Sequence, residues 1–485
     1  MDAHVDTLII GAGSGGIGAA LASARAGATT LLVEKEREIG GTAVLGGVHH
    51  WEMGAGGTGL PFDIYRRLKT RHGAAICSYG RHFLWQKKRG DPARFPGGER
   101  IINPQRSYRD TMRRFGARSL RDDEEFVRRH WHAVAFEPDA YVNTLREMLA
   151  ETGHAAIETG VTFETVAVNN GHIDTVRLSN GRTIAAHTVI DATGTAAVAH
   201  AAGAETTTGQ ESRTTYSEPG APETWQHHLN GATLIFRVTP RHDETSPRLD
   251  SLPADIPDEC WWRASFPAVS VCAYPRGDIN INMLPTMDGA EYARMTAVEA
   301  HAECRRRVLA QWHWLQRHNP EWQAYQLTWI APCVAEREGR RVVGRRVLTE
   351  NDLRAGLAGQ EEPDIITIAD HALDTHGMST ARAGCNELEQ PYGVPYRCLL
   401  TRELDNCLVA CKAASFSSLA ASSCRLSRTL IQLGQAAGTA AALAAQRGIS
   451  VATVPHDILR RRLEAQHVQL TWPCTPTLEA RLGTE

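Results

Sequence analysis

The chain has 485 residues, 22 % of them charged and 42 % hydrophobic, and its 52 basic and 55 acidic side chains leave a formal net charge of -3. That length calls for two or three domains, and so small a net charge offers no global attraction to nucleic acid or to an anionic membrane. The eleven cysteines form no C-x-x-C pair and are odd in number, so buried reduced thiols are expected in place of a disulfide framework or a metal centre.

The first element is a strand-length apolar run, Thr7-Leu8-Ile9-Ile10, that meets Gly11-Ala12-Gly13-Ser14-Gly15-Gly16. A helix rich in small residues such as Ala20 and Ala24 follows, and a second apolar run, Leu31-Leu32-Val33, ends on Glu34. Gly-x-Gly-x-x-Gly between a strand and a helix, with an acid closing the next strand, is a dinucleotide-binding βαβ unit. Gly11 permits the tight turn, Gly13 lets the backbone approach a pyrophosphate, and Gly16 allows close helix-strand packing. The helix N-terminus offers free N–H groups to the anion, and Glu34 holds a ribose hydroxyl. The motif begins within a few residues of Met1, leaving no room for a basic and apolar leader, and no apolar run reaches the roughly 20 residues of a membrane span. A cytoplasmic location is the expectation.

Next comes Gly40-Gly41-Thr42, then Gly46-Gly47-Val48-His49-His50-Trp51, and more glycine from Gly54 to Gly59. So much glycine implies backbone running close against something large and flat, or a mobile loop. Together with the first motif and the acid of the second strand, Gly40-Gly41-Thr42 resembles an FAD-binding flavoprotein with the glutathione-reductase-type nucleotide domain, in which this segment passes beside the flavin. Residues 60–135 then change character, with Arg66, Arg67, Lys69, Arg71, Lys87, Lys88, Arg89, Arg113, Arg114, Arg128 and Arg129 in a stretch without clean periodicity. It reads as an insert with a solvated face or a subunit contact, in preference to a cap that attracts an anionic substrate.

A helix is predicted over 138–149. Strands over 161–168, 173–178 and 183–186, separated by Asn169-Asn170-Gly171 and Ser179-Asn180-Gly181, form an antiparallel meander. It leads into a buried strand that ends Asp191-Ala192-Thr193-Gly194; an Ala-Thr-Gly there resembles the crossover by which this flavoprotein group returns the chain to the nucleotide. Between 215 and 385 no nucleotide signal occurs. Strands are expected over 232–238 and 278–283, and a long helix over 290–317 whose Trp312 and Trp314 serve packing. An alanine-rich helix over 426–448, closed by Gly448, has side chains small enough to lie close to another helix or to a cofactor.

Three further segments, Arg337-Glu338-Gly339-Arg340-Arg341-Val342-Val343-Gly344, Val394-Pro395-Tyr396-Arg397, and Arg425 leading into Leu433-Gly434-Gln435-Ala436-Ala437-Gly438, resemble the bacterial FAD-dependent oxidoreductase family, related to the fumarate-reductase flavoproteins. The resemblance implies an α/β fold, a Rossmann-like three-layer FAD-binding domain with a β-meander plus a mixed α+β substrate domain. The expected division is 1–59, 138–215 and 389–450 for FAD, 60–137 for an inserted basic cap or interface region, 216–388 for substrate and 451–485 for a C-terminal tail. It sets FAD against Gly11, Gly13, Ser14, Gly15, Gly16, Glu34, Lys35, Gly40, Gly41, Thr42, Ala192, Thr193, Gly194, Arg425 and Leu426. Backbone N–H groups over 422–426, at the start of the final helix, would stabilise charge on the reduced flavin. Covalent relatives carry histidine at the tight turn where this chain has Gly40-Gly41, so non-covalent FAD is expected. Cys411-Lys412 stand where the family has glycine after its last strand.

Only one Gly-x-Gly-x-x-Gly has the strand and helix context, so no second site for NAD(P)H is visible and the organic substrate itself is expected to reduce the flavin. The expected reaction removes a proton from a CH–OH or CH–NH group by a base while hydride passes to flavin N5, with O2 or another acceptor reoxidising it. Histidine suits the base, and the candidates among 21 histidines are His376, in Asp374-Thr375-His376-Gly377, and His49 and His50. Arg337 and Arg340, with Arg341 and Arg425, could orient a carboxylate or the flavin C2 oxygen, since the guanidinium fork matches such acceptors. Surface ion pairs are the plain alternative for Arg340 and Arg341. The expected partner is a small molecule, with no nucleic acid, membrane or metal, and a homo-oligomer is compatible with the chain. Competing readings are a C=C reductase or desaturase of the fumarate-reductase type and an FAD monooxygenase. The latter is disfavoured because the Gly-Asp that precedes the flavin ribitol in aromatic hydroxylases is absent. A reading of another class, a structural flavoprotein serving as scaffold or RNA-modification partner, has only the basic insert in its favour.

Overall fold

The computed structural model describes residues 3–80, 97–117, 123–242, 248–376 and 384–485. Two sheets carry the architecture. The first grows from β1 (Ala3–Ile10), α1 (Ser14–Arg25) and β2 (Thr30–Glu34). β1 and β2 run parallel, with Thr7 opposite Thr30 and Ile10 opposite Val33. Ala155–Thr159 adds to the outer side of β2, and Thr183–Asp191 lies parallel to β1 on its other side. The latter strand is continuous over nine residues, where the sequence suggested a meander strand and a separate nucleotide strand. Its start pairs antiparallel with His172–Leu178, and its end pairs parallel with Cys407–Val409. The meander is thus an outgrowth of the nucleotide sheet.

The second sheet has eight strands in the order Tyr325–Ile330, Phe236–Pro240, Ile279–Met283, Val269–Ala273, Gly97–Ile102, Ala74–Tyr79, His132–Phe136 and His50–Trp51. Strands from 60–137 and from 216–388, treated as separate pieces in the sequence-based division, share this sheet, and they meet where Gly97–Ile102 runs parallel to Val269–Ala273. Every residue of His132–Phe136 is buried, so this strand lacks the alternation of a half-exposed one. The basic side chains of this region divide. Arg67, Lys69 and Arg71 form surface pairs with Glu151, Glu485 and Glu147, whereas Arg114 is buried against Glu387 and Glu52. Lys87, Lys88 and Arg89 lie outside the described residues. The helix expected over 290–317 is two, Gly289–Tyr292 and Ala297–His318, because a capping box of Thr296 and Glu299 starts the second. Trp312 is buried in the core of the second sheet, and Trp314 stacks on Phe266.

The two ends of the chain meet through α1 and the helix Ser427–Arg447, and glycine marks each crossing. A Cβ on Gly434 would lie 1.9 Å from the Gly15 carbonyl oxygen, one on Gly18 2.1 Å from that of Ile431, and one on Gly438 2.1 Å from that of Ala19. These backbones touch directly. Another set of side chains on Ser427–Arg447 is polar and buried, and it satisfies the glycine-rich loop that precedes residue 60. Gln432 Oε1 accepts from the Gly57 N–H at 3.0 Å and Gln435 Oε1 from the Leu60 N–H at 3.1 Å. The glycines of 54–59 are therefore explained by packing, since a Cβ on Gly56 would stand 2.3 Å from the Ile368 carbonyl oxygen. Gly434→Ala sets a methyl group against the Gly15 backbone, and we expect it to destabilise the protein by about 3 kcal/mol or more. Equal chemical-denaturation midpoints for the variant and its parent would show that the two helices are not in contact.

Candidate functional site

A cavity of about 580 Å3 opens at the carboxyl ends of β1 and β2 and extends to the second sheet. This is where a parallel sheet collects ligands, at the carboxyl ends of its strands and beside the N-terminus of the helix that follows β1. Its floor is the turn after β1. Gly11 has φ of +101°, and a Cβ there would fall 2.4 Å from the Ala192 carbonyl oxygen. Gly13 has an ordinary φ of -70° and caps α1 with no side-chain hydrogen bond, and a Cβ on it would meet nothing within 4 Å. The helix N-terminus thus faces open space with its first N–H groups available to an anion.

Among the expected cofactor residues, Gly11, Gly13, Ser14, Gly15, Glu34, Lys35, Gly41, Thr42, Ala192, Thr193, Gly194, Arg425 and Leu426 all line this cavity. Gly16 and Gly40 stand behind it. A Cβ on Gly16 would meet the Gly11 carbonyl oxygen at 1.8 Å, and the Gly40 N–H donates to the Ala12 carbonyl at 2.8 Å. Glu34 turns back on the glycine turn, accepting from the Ala12 N–H at 2.6 Å and the Glu36 N–H at 3.0 Å. Its remaining lone pairs can still take a ribose hydroxyl. Of the segment 422–426, only Arg425 and Leu426 reach the cavity wall. Lys412 also lines it, donating to the Glu336 carboxylate at 2.7 Å.

The reactive wall comes from 371–376, the start of Ser427–Arg447 and the second sheet. His376 pairs through Nε2 with Asp374 Oδ2 at 2.7 Å, and Arg425 reaches the same oxygen at 3.1 Å. Burial opposes ionisation of Asp374, but the His376 ring and the Arg425 guanidinium hold its carboxyl well below the usual range. For His376, burial together with the positive charge of Arg337 and Arg425 outweighs the Asp374 carboxylate, so the ring titrates below an ordinary histidine. A second pair joins His371 Nε2 to Glu52 at 3.3 Å, with Arg114 on the same carboxylate at 3.0 Å. Burial works against the Glu52 charge, and the hydrogen bond from His371 with the charges of Arg100 and Arg114 restores it, well below the normal carboxyl range.

The remaining candidates scatter. His50 lines the cavity, and burial with the nearby charge of Arg100 pushes it down to about 3. His49 lies behind the wall, with Nδ1 on the Tyr274 hydroxyl and Nε2 on the Val44 carbonyl, and burial lowers it to about 4. Arg337 is on the wall. Arg340 is half-buried and is not among the cavity-lining residues. Arg341 is fully buried between Glu211 and Glu338, in a structural network and not on the surface. Sequence reasoning did not single out Glu52 or His371. Glu52 directly follows His49-His50-Trp51 and was open to notice, whereas its partner Arg114 is 62 residues away and gives no local signal.

An uncapped helix at the carboxyl ends of a parallel sheet, in one cavity with histidine–carboxylate pairs and arginines, makes a site for a dinucleotide cofactor next to side chains able to handle protons. The chain belongs to the FAD dependent oxidoreductase family, whose model matches residues 6–463. Its cofactor is FAD, and the residues fit it, since the space beside Gly13 and the free N–H groups of α1 suit a pyrophosphate. The fold is similar to that of a geranylgeranyl bacteriochlorophyll reductase-like protein from Thermoplasma acidophilum, at 12 % identity over 99 % of this chain and 96 % of that one, with a TM-score of 0.43. It is also similar to p-nitrophenol 4-monooxygenase from Pseudomonas putida DLL-E4, at 11 % identity over 100 % and 93 % of the two chains with a TM-score of 0.43. A probable FAD-dependent monooxygenase from Pseudomonas aeruginosa aligns at 13 % identity over 99 % and 94 %, with a TM-score of 0.38. Likenesses this loose do not bear on the reaction. No curated protein sequence matches. Among the described residues, no helix is long and apolar enough to cross a membrane and no group of three metal-ligating side chains occurs.

Gly13→Val separates fold from cofactor, because its side chain enters only the open space of the cavity. We expect the denaturation midpoint of the apoprotein to be unchanged and FAD affinity to fall about 100-fold, or about 2.7 kcal/mol. Undiminished flavin absorbance after desalting would show that the cofactor does not pass over Gly13.

Proposed function

We propose that the protein is a dehydrogenase or oxidase of a small polar organic substrate bearing a CH–OH or CH–NH group, with FAD held non-covalently. The observation that carries this reading is the chain from Arg425 through Asp374 to His376 on the wall of the cavity into which the glycine turn opens. The non-covalent link rests on the turn at Gly40 and Gly41, where φ of +107° and +54° favour glycine and no histidine stands. When bound, FAD supplies the two-electron acceptor. The side chains supply orientation and proton handling. With Asp374 ionised, the His376 proton sits on Nε2, and Nδ1 is the atom that takes the substrate's hydroxyl or amine proton. Asp374 then holds the imidazolium, and Arg425 fixes Asp374.

The base must be neutral to act. Since the His376 value lies below 6.5, kcat/KM should rise with pH through an apparent pKa under 6.5 and be level at neutral pH. Asp374→Asn removes the carboxylate that raises the His376 value, so the acid limb should move lower still while the rate falls. His376→Ala should cut turnover by about 100- to 10,000-fold with FAD content intact. Unchanged turnover in that variant removes His376 as the base.

A further inference from the structure

Arg337 leaves the strand-like pairing in which Thr233 and Ala335 exchange backbone hydrogen bonds, and its guanidinium enters the cavity wall beside Arg425 and His376. Its Nη1 donates to the Gly231 carbonyl and to Thr233 Oγ1, both at 2.6 Å. These acceptors are neutral. Among the described residues Nε and Nη2 have no hydrogen-bond partner, and no carboxylate lies within ion-pair distance of the group, although Asp374 and Glu52 act on it from farther off. Its neighbours differ, since Arg425 has Asp374 at 3.1 Å, Arg114 has Glu387 at 2.8 Å and Arg341 has Glu338 at 2.6 Å. Burial and the like charge of Arg425 outweigh the carboxylates of Asp374 and Glu52 and push Arg337 down to about 9, as expected of a cation with no directly paired counter-ion.

We propose that Arg337 receives a carboxylate of the substrate, so that the enzyme oxidises a hydroxy or amino acid and not a neutral alcohol, amine or sugar. The proposal rests on the reading of this cavity as the place where His376 takes the substrate's proton. Two bonds at Nη1 fix the plane of the guanidinium and leave its Nε–Nη2 edge, the edge that grips a carboxylate through two parallel N–H bonds. Gly231 sets the distance to the base. Its carbonyl accepts from Arg337, and its N–H donates to the His376 carbonyl at 2.5 Å. A Cβ on Gly231 would meet Pro285 Cγ at 2.5 Å and the His376 carbonyl oxygen at 2.8 Å, so the link admits no side chain. A single uncompensated cation, with Asp374 and Glu52 nearby on the same wall, favours a monoanionic group over a phosphate dianion. One substrate then spans both functions, its carboxylate on Arg337 and its hydroxyl or amine at His376.

The test is a binding equilibrium without turnover. The FAD-loaded enzyme is titrated with acetate and with acetamide, its neutral counterpart, and the visible flavin spectrum is read. We expect acetate to perturb the spectrum saturably and acetamide not to, Arg337→Met to weaken acetate by about 30-fold or more, and Arg337→Lys to recover part of the loss. His376→Ala should still bind acetate, so loss of the base and loss of the anion site are read separately. Equal binding of acetate and acetamide, no binding by the parent enzyme, or acetate affinity unaltered in Arg337→Met would overturn the proposal. So would an Arg337→Met enzyme that binds acetate normally once FAD is restored but has lost FAD affinity, since Arg337 would then serve the cofactor.

Discussion

The contact between α1 and Ser427–Arg447 is the constraint on which the rest of the site depends. Two helices whose backbones touch cannot carry side chains at the crossing, and Gly18, Gly434 and Gly438 occupy the positions where a Cβ would run into a carbonyl of the other helix, while a Cβ on Gly15 would run into the Ala410 carbonyl. Because α1 begins at the glycine turn and Ser427–Arg447 begins at the reactive wall, this contact fixes the distance between the cofactor's anion site and Arg425. Residues from opposite ends of the chain thereby form one cavity. The polar residues of the same helix, Arg428, Gln432 and Gln435, hold the loop that carries Glu52 to the wall. Arg428 donates to the Glu52 carbonyl at 2.5 Å and Gln432 to the Thr58 carbonyl at 3.0 Å.

Hydrogen bonding discriminates among the five histidines at or behind the cavity, of which His301 has Nε2 on the Ala331 carbonyl and, among the described residues, no carboxylate partner. Both ring nitrogens of His49 are engaged, one by Tyr274 and one by Val44. Those of His371 are engaged by Ala372 and Glu52. A ring bound at both nitrogens positions its neighbours but has no lone pair for a substrate proton. His50 has an unpartnered Nδ1, but with its value pushed down to about 3 it is a weak base. His376 alone of the five combines a carboxylate on one nitrogen, a second nitrogen without a described partner and a place on the wall. Glu52 and His371 then form a fixed pair. With Arg100 and Arg114 on the carboxylate, their charge is committed to holding the glycine-rich loop against the 371–376 turn.

What could be read in the sequence was local. The glycine turn, α1, the acid of β2 and the alanine-rich helix are each specified by residues within a few positions of one another, and the structure has them where spacing predicted. The second sheet was not legible, because it joins 97–102 to 269–273 in parallel across a wide gap in sequence, and nothing in either segment names the other. The same limit hid the join between the meander and the nucleotide strand. The glycines of 54–59 were visible but their cause was not, since the polar side chains that satisfy that backbone are 375 residues away. Among the candidate bases, the Asp374-Thr375-His376 spacing contained its own partner, whereas the surroundings that occupy His49 came from Tyr274.

Arg337 and Arg341 show why residue type alone does not assign a role. They lie four positions apart in one arginine-rich segment, and the structure gives them opposite surroundings. Arg341 is fully enclosed by Glu211 and Glu338, and the same two carboxylates also bind Ser418, at its N–H and its hydroxyl. Its charge is spent inside the protein, fixing the short helix Ser418–Ser423 that precedes Arg425. Removing one member of such a network would strand the others and cost stability. Among the described residues Arg337 has no carboxylate within ion-pair distance, and only one of its nitrogens is tied down. A partly buried cation with no carboxylate paired directly to it can take its partner from outside the chain, and the wall that holds Arg337 is also the wall that holds His376.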